Sequence, residues 1–500
     1  MYRHIGMPGS LCGPTQARVL AYVGGALSQA ADLISGEASA FAISFTGSKF
    51  FSATGDYGSA RIKDAAVPAN DYDSSPFSIV SRSSGAEKMT VGPDGLLKYR
   101  KHNKYINSAS PGNQVITLVQ GATYEIVSTG TVVFTASGAY GGVVMPGTTS
   151  FTASTTSLTL TLTVGSGTVH VRRTPCDDTY VETSGSARYG LPFEWVDGVL
   201  AGIRPERSRS NEIVHSNDMT DAAWTKTDCT AAKTAVGPSG DANSAVTLTA
   251  TGANATSTQA ITSSSAQRVS GVWLKRRTGT GAIEITQDGS AWTTVAVTAS
   301  WKRFSLPAAT AANPTVGVRI STSGDAVDVG NFQEEVGSHL STDIETYATT
   351  LTRPADYLFV PMSILPAVTG DVTLVASVEP LTPDRTVACA LRGTGPTEGY
   401  SLQISPTDWR AYCYTNAYIF GNWGEAGSLS KIGVAAATDD AVLYGDGAVI
   451  GTDTDGVPPV CDDVLFIGSD GGTPFDGYIK SIEMIPRRLS NSEMAAATAP

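Results

Sequence analysis

YGLPFEWVDGVLAGIRPERSRSNEIVHSNDMTDAAW, residues Tyr189 to Trp224, is the stretch around which the rest of the chain is ordered. Val196, Val199, Leu200 and Ile203 are split by Asp197-Gly198 and Gly202, the pattern of a short strand, a tight turn and a second short strand. Charged residues crowd Arg204 to Arg209, which predicts a segment wet on one face. A new block opens at Asn211, so the residues before it read as an approach region and those after it as separate folded bodies.

Composition sets the class. Five hundred residues are enough for about three domains at ~100–200 residues each. With Gly 52 and Pro 25 beside abundant Thr, Ser and Val, the chain reads as many short strands joined by turns, so the expected class is all-β, multidomain β-sandwiches or jelly rolls with a short N-terminal helical element. A formal net charge of -12 repels a nucleic-acid backbone, and the local run Lys275-Arg276-Arg277 reads as a solvated hairpin end, so no nucleic-acid partner is expected. No apolar run approaches the ~20 residues of a membrane span, so no membrane insertion is expected, and Pro8, Gly9 and Ser10 interrupt any leader-like segment. The six cysteines, at 12, 176, 229, 389, 413 and 461, form no C-x-x-C or Cys/His cluster and read as isolated thiols of a reducing compartment, with a Cys389–Cys413 pair open only if their strands are neighbours.

In chain order, Thr15 to Ile34 has the spacing of a helix and is the candidate for attachment or assembly. Ala38 to Phe51 predicts a hairpin turning at Gly47-Ser48, and Lys88–Val91 leads into the turn Gly92-Pro93-Asp94-Gly95. Residues 107–175 predict a small inserted sandwich. Within it the alternation from Ser157 to Val164, the turn Gly165-Ser166-Gly167 and the return Thr168–Val171 predict a hairpin, with His170 an ordinary strand residue. The expected domains are an approach region over 1–106 that resumes over 176–210, the insertion over 107–175, a jelly roll over 211–358 and a second sandwich over 359–500.

Two resemblances rest on these residues. Gly202-Ile203-Arg204-Pro205-Glu206 through Arg209 and Asn211, then His215-Ser216-Asn217-Asp218 and Trp224, resembles the junction of bacteriophage tail-fibre-like virion proteins, where a carbohydrate-binding-module-like jelly roll begins. Arg82-Ser83-Ser84 through Gly92-Pro93-Asp94-Gly95-Leu96-Leu97 to Asn103 is similar to an earlier piece of that pattern, and Gly237-Pro238…Gly240-Asp241, Trp273, Trp301 and Val329–Glu335 continue it. From Thr373 to Met494 the chain is similar to a concanavalin A-like or laminin G-like sandwich, on Gly445-Asp446-Gly447, Leu465–Gly468, Phe475–Ile479 and a capping box at Ser490…Glu493. The resemblance implies a virion protein assembled in the host cytoplasm and displayed on the phage particle, a tail fibre or receptor-binding protein. It would join other virion proteins through its N-terminal region, form a homo-oligomer, a trimer by analogy, and bind host cell-surface polysaccharide.

The chemistry points to binding rather than turnover. The E-x-D-x-x-E strand that hydrolases on a concanavalin-like sandwich need is absent, Glu483 has no acidic partner at the right offset, and no G-x-S-x-G, H-E-x-x-H or phosphate loop occurs. The candidate glycan-binding residues are Trp409, Arg410, Tyr412, Tyr414 and Trp423, with alternation expected to put Arg410, Tyr412 and Tyr414 on one face, and Trp292 at a hairpin tip. Trp273 and Trp301 read as core. Asp453, Asp455, Asp462 and Asp463 are weak calcium candidates that lack the acids of a full calcium loop, so no cofactor is expected beyond calcium at such a rim. The alternatives are a capsid head fibre or decoration protein with a structural role, and a polysaccharide depolymerase.

Overall fold

The computed structural model describes residues 41–44, 49–52, 61–62, 81–82, 87–176, 181–183, 187–361, 368, 370–381, 386–392, 399–404, 409–414, 417–421, 431–461, 463–469 and 474–500. The helix expected over Thr15 to Ile34 lies outside them. The fold is almost entirely β, and the one helix among the described residues, Asn491–Ala497, is closed by the expected capping box between Ser490 and Glu493. The chain divides into two compact units. One is essentially residues 82–356, and the other joins 357–500 to the N-terminal strands.

The insertion in the first unit is two sheets face to face. A four-stranded sheet runs Gly142–Val144, Val133–Gly138, Ser157–Val164, Gln114–Thr117, and a three-stranded sheet runs Gly147–Thr152, Thr123–Ser128, Val169–Arg173. Alternate residues Leu158 and Leu160 point inward against Tyr124, Ile126, Phe134 and Val171, while Thr159 and Thr161 face outward. The expected hairpin at Gly165-Ser166-Gly167 does not form. Ser157–Val164 pairs with Val133–Gly138, whereas Val169–Arg173 pairs with Thr123–Ser128 in the other sheet. The two glycines make a corner instead: a Cβ on Gly165 would lie 1.9 Å from the Thr131 carbonyl oxygen and one on Gly167 2.1 Å from that of Thr129. Their φ values of +112° and +153° carry the chain from sheet to sheet.

The jelly roll over residues 211–356 packs a five-stranded sheet on a six-stranded one. Its core holds Trp224, Leu248, Val272, Leu274, Ile285, Val318, Val329 and Phe332, with the Trp224 and Phe332 rings 5.5 Å apart. Trp273 is buried as expected, but outside that core: it packs with Met89, Leu97 and Tyr99 of the approach hairpin and donates its indole N–H to Asp343 at 3.0 Å. Trp301 is only half-buried on the edge of the same cluster, beneath the Lys275 ammonium.

The charged run after Gly202 is where the sequence misleads most. Arg204 and Glu206 are buried. The Lys88 ammonium meets Glu206 and Asp356 at 2.7 Å each, Arg353 meets Glu206 at 2.7 Å, and Arg204 meets Glu206 at 3.1 Å and Glu194 at 3.1 Å. Burial alone would raise the Glu206 pKa, but Arg353, Lys88 and Arg204 together outweigh it and hold the carboxyl well below its usual range. A run that reads as a wet face is therefore the ionic seam between the approach region and the jelly roll. Asn211, also buried, ties the same seam: its amide donates to the carbonyls of Phe332 and Ile344 and its oxygen accepts from the N–H groups of Ile213 and Glu334.

In the second unit one sheet contains, in order, Phe41–Ser44, Gly477–Ile485, Val372–Pro380, Lys431–Ala437, Asp440–Gly445 and Ala448–Asp453, with the expected turn at Asp446-Gly447. Phe41–Ser44 also pairs with Lys49–Ser52, as the hairpin pattern predicts. The C-terminal helix lays Met494 and Ala497 on Val375, Val442 and Tyr444. The other sheet runs Ala417–Gly421, Trp409–Tyr414, Gly399–Ile404, Thr386–Arg392, Val464–Ile467 and Leu358–Pro361. Gly399–Ile404 separates the strands of Cys389 and Cys413, and Cys389 is a free buried thiol that burial pushes up to about 12.

Candidate functional site

The first unit holds a cleft of about 700 Å³. One wall comes from the insertion, through Thr123, Glu125 and Thr174. The other comes from the jelly roll, through Asn217, the 238–244 loop, Asn331 and Tyr347, and Met89, Leu97 and Lys98 of the approach hairpin close the end. Each wall has a local cause. Strand Thr123–Ser128 turns Thr123 and Glu125 outward because Tyr124 and Ile126 fill the insertion core. The 238–244 loop is held by Ser244, whose hydroxyl donates to the Asp241 carbonyl and accepts from the Gly237 N–H. The Leu97 N–H donates to the Pro238 carbonyl at 3.0 Å, which joins this loop to the approach hairpin.

Arg173 and Glu345 fix the spacing of the walls. The Arg173 guanidinium lies 4.5 Å from the centre of the Tyr99 ring and 5.6 Å from that of Tyr347, and 3.6 Å from Glu345. Glu345 accepts hydrogen bonds from the Tyr99 hydroxyl at 3.1 Å, the Tyr347 hydroxyl at 2.9 Å and the Asn217 amide at 3.3 Å. Behind them burial would raise Glu87, but Lys104 and Arg173 draw its carboxyl down to about 2, so it is ionised at any working pH. At Gly121 the backbone touches Tyr347 so closely that a Cβ would fall 2.9 Å from it. The insertion is thus seated against the jelly roll.

Carboxylates face the cleft from both walls, and two of them, Glu125 and Glu345, already have donors. Arg172 holds Glu125 by a fork at 2.7 and 3.0 Å, and the oxygens of Glu345 are taken by three donors. A general acid needs a proton to give and a nucleophile a free lone pair, and neither group is set up for those tasks. Cys176 lies 3.7 Å from His102 Nδ1, a pairing that resembles a nucleophile and base only on paper. That nitrogen is 2.8 Å from the Arg100 carbonyl, and Nε2 accepts from the Arg173 N–H at 2.8 Å, so the ring is held in the neutral Nδ1–H form. Burial draws its pKa down to about 4. His170 is a buried strand residue whose Nε2 lies 2.7 Å from the His102 carbonyl.

The residues singled out from the sequence lie elsewhere. Trp292 is half-buried, with the Arg319 guanidinium 4.8 Å from its ring centre and Arg319 bound in turn to Glu284 at 2.5 Å, so one ring face is already taken. Trp409, Arg410, Tyr412 and Tyr414 do share one strand, in which Arg410 is half-buried and Ala411 buried. Its register pairs Arg410 with Phe420 and Tyr412 with Tyr418, then shifts between Tyr412 and Tyr414, so the simple alternation stops at Tyr412. Trp423 and Asp462 lie outside the described residues. Asp453 accepts from the Asp455 N–H in a turn and Asp463 is exposed, and among the described residues no group of three metal-ligating side chains gathers.

Sequence reasoning missed the cleft residues, although two of its motifs, Gly92–Leu97 and Gly237–Asp241, are the pieces that interlock at the end and rim of the cleft.

No protein-family model matches the chain and no curated protein matches it. Among solved structures it is similar to the Ruminococcus gnavus IT-sialidase CBM40 bound to alpha2,6 sialyllactose, at 18% identity and TM-score 0.21, over 26% of this chain and 84% of that one. It is also similar to mouse laminin alpha1 chain domains LG4-5, at 10% identity and TM-score 0.22, over 45% of this chain and 86% of that one. Trypanosoma rangeli sialidase in complex with the inhibitor DANA is similar at 20% identity and TM-score 0.20, over 26% of this chain but only 22% of that one. Likenesses at these TM-scores carry no argument about what this chain does.

Proposed function

We propose that the protein binds glycans without cutting them, as a surface-displayed component of a phage virion. The observation that carries the binding half is the cleft: a preformed, polar concavity of about 700 Å³, walled by strands and braced loops, whose carboxylates are occupied as hydrogen-bond acceptors. Sugars present many hydroxyl donors, and the exposed Asp241 carboxylate and Thr123 hydroxyl stand on this lining to receive them. The virion half is supported by the sequence motifs at Gly202–Asn211 and Gly92–Leu97 alone. In this reading the N-terminal region attaches to other virion proteins, and a homo-oligomer multiplies weak individual sites into useful avidity.

The test uses the full-length protein with intact bacterial cells and their extracted surface polysaccharide, following both retention and polysaccharide chain length. Saturable binding with unchanged chain length is expected. Shortened polysaccharide would make the protein a depolymerase, and no binding by the folded native oligomer would leave a decoration or spacer role. Tyr412→Ala with Trp423→Ala, run in parallel, asks whether the second unit contributes.

A further inference from the structure

We propose that the cleft between the insertion and the jelly roll takes a neutral saccharide and discriminates against sugars that carry a carboxylate. This rests on the glycan-binding reading above and names the ligand class of that site.

The argument is an inventory of charge. Five charged side chains line the cleft: Lys98, Lys233, Glu125, Asp241 and Glu345. Both cations are already committed, Lys98 to Asp94 at 2.7 Å and Lys233 to Asp218 at 3.3 Å. Neither is a guanidinium, the group whose planar fork matches a carboxylate. The two nearby guanidiniums are committed as well, Arg172 to Glu125 and Arg173 to Glu87, Glu345 and the two tyrosine rings.

Of the three acids, Glu125 and Glu345 each stand beside an arginine. Asp241 is exposed, and its side chain is bonded to the Ser239 hydroxyl at 3.1 Å, with no cation partner among the described residues. The uncompensated charge of the cleft is therefore negative and sits on its rim. A sugar hydroxyl meets it as a donor meets a charged acceptor, the stronger kind of hydrogen bond. A sugar carboxylate meets like charge, with no free fork to receive it. The remaining polar lining includes Thr123, Thr174, Asn243 and Asn331, hydroxyls and amides that suit alternating donors and acceptors on a neutral pyranose.

The test is titration of the full-length protein with neutral oligosaccharides (maltotriose, lactose, N,N′-diacetylchitobiose) against sialyllactose and a galacturonic acid trimer, repeated with Asp241→Asn and Thr123→Trp. Asp241 and Thr123 are both exposed, so both variants keep the fold, which a melt verifies. Expected is binding of at least one neutral sugar, about tenfold weaker binding of it by Asp241→Asn, a narrower gap to the acidic sugars in that variant, and loss of binding in Thr123→Trp, which projects an indole from the insertion wall. Preferential binding of the acidic sugars by the parent protein overturns the proposal. Neutral-sugar binding that neither variant changes also overturns it, while leaving glycan binding to stand at another surface. Absence of binding to any saccharide, by array as well as titration, takes down the glycan reading itself.

Discussion

Replacing Lys88 by methionine tests the ionic seam directly. The lysine is fully buried, and its ammonium serves the Glu206 and Asp356 carboxylates at 2.7 Å each. Methionine keeps most of the aliphatic stem and removes the charge together with its hydrogen bonds to Asp356 and the Arg204 carbonyl, so packing is nearly conserved. Glu206 retains Arg353 at 2.7 Å and Arg204 at 3.1 Å, whereas Asp356 loses the cation it shares. Removing one partner from a buried pair costs about 3–5 kcal/mol, because the remaining charge stays desolvated. At ~2–4 °C per kcal/mol for a body of this size, the melting transition of the first unit falls by about 10 °C. Scanning calorimetry is the assay, since it resolves the two units if they melt separately. Lys88→Met/Asp356→Asn should recover more than about 1 kcal/mol of the loss, because one of the two carboxylates that Lys88 balanced is then neutral. The pH dependence follows with its sign. Glu206 is depressed, so its contribution is present at neutral pH and lost as pH falls below the ordinary glutamate range, and removing Lys88 moves that loss to higher pH. A Lys88→Met protein that melts within about 2 °C of the parent would refute the reasoning and reduce the seam to a bystander.

Three further outcomes are expected. Glu483 is buried and its carboxyl is pushed up to about 7, with Lys431 only partly opposing the burial, so its ionisation costs nothing below about 4.5 and the full amount above 7. Glu483→Gln should therefore stabilise the second unit by about 3 kcal/mol at pH 8 and hardly at all at pH 4, read from denaturant midpoints at the two pH values. Asn211→Ala strips partners from two carbonyls and two N–H groups in the seam and should cost roughly 3–5 kcal/mol by chemical denaturation. Gly121→Val forces a side chain into Tyr347 at a φ of +87° and should cost about 2 kcal/mol, with faster hydrogen exchange where the insertion meets the jelly roll.

What the sequence disclosed, and what it hid, divides along a physical line. Features decided within a few residues were legible: the Asp446-Gly447 turn, the Ser490–Glu493 capping box, the alternating inward leucines of Ser157–Val164, and the all-β class itself. Features decided by distant partners were not. Arg204 and Glu206 look like solvated charges until Lys88, Arg353 and Asp356 arrive from 116, 147 and 150 positions away. The glycine corner looked like a hairpin turn because periodicity reports which side chains face inward and is silent about which strand lies next door. The cleft escaped for the same reason, since Glu125 and Glu345 meet only when an insertion is laid against a jelly roll. The motif residues Glu206 and Asn211 proved to be joinery rather than ligand contacts, as buried polar residues with every bond directed at their own chain usually are.

The insertion leaves the body of the fold almost where it departs: Tyr99 bridges to Cys176 in parallel, and the Lys104 N–H donates to the Val171 carbonyl at 2.9 Å. Its two ends are thus pinned side by side by the host, whatever lies between them. For a segment so anchored, doubling its length adds only ~0.6 kcal/mol of closure entropy. Its far loops can lengthen at little closure-entropy cost to the host, while the side that carries Gly121 and Arg173 stays locked against the jelly roll.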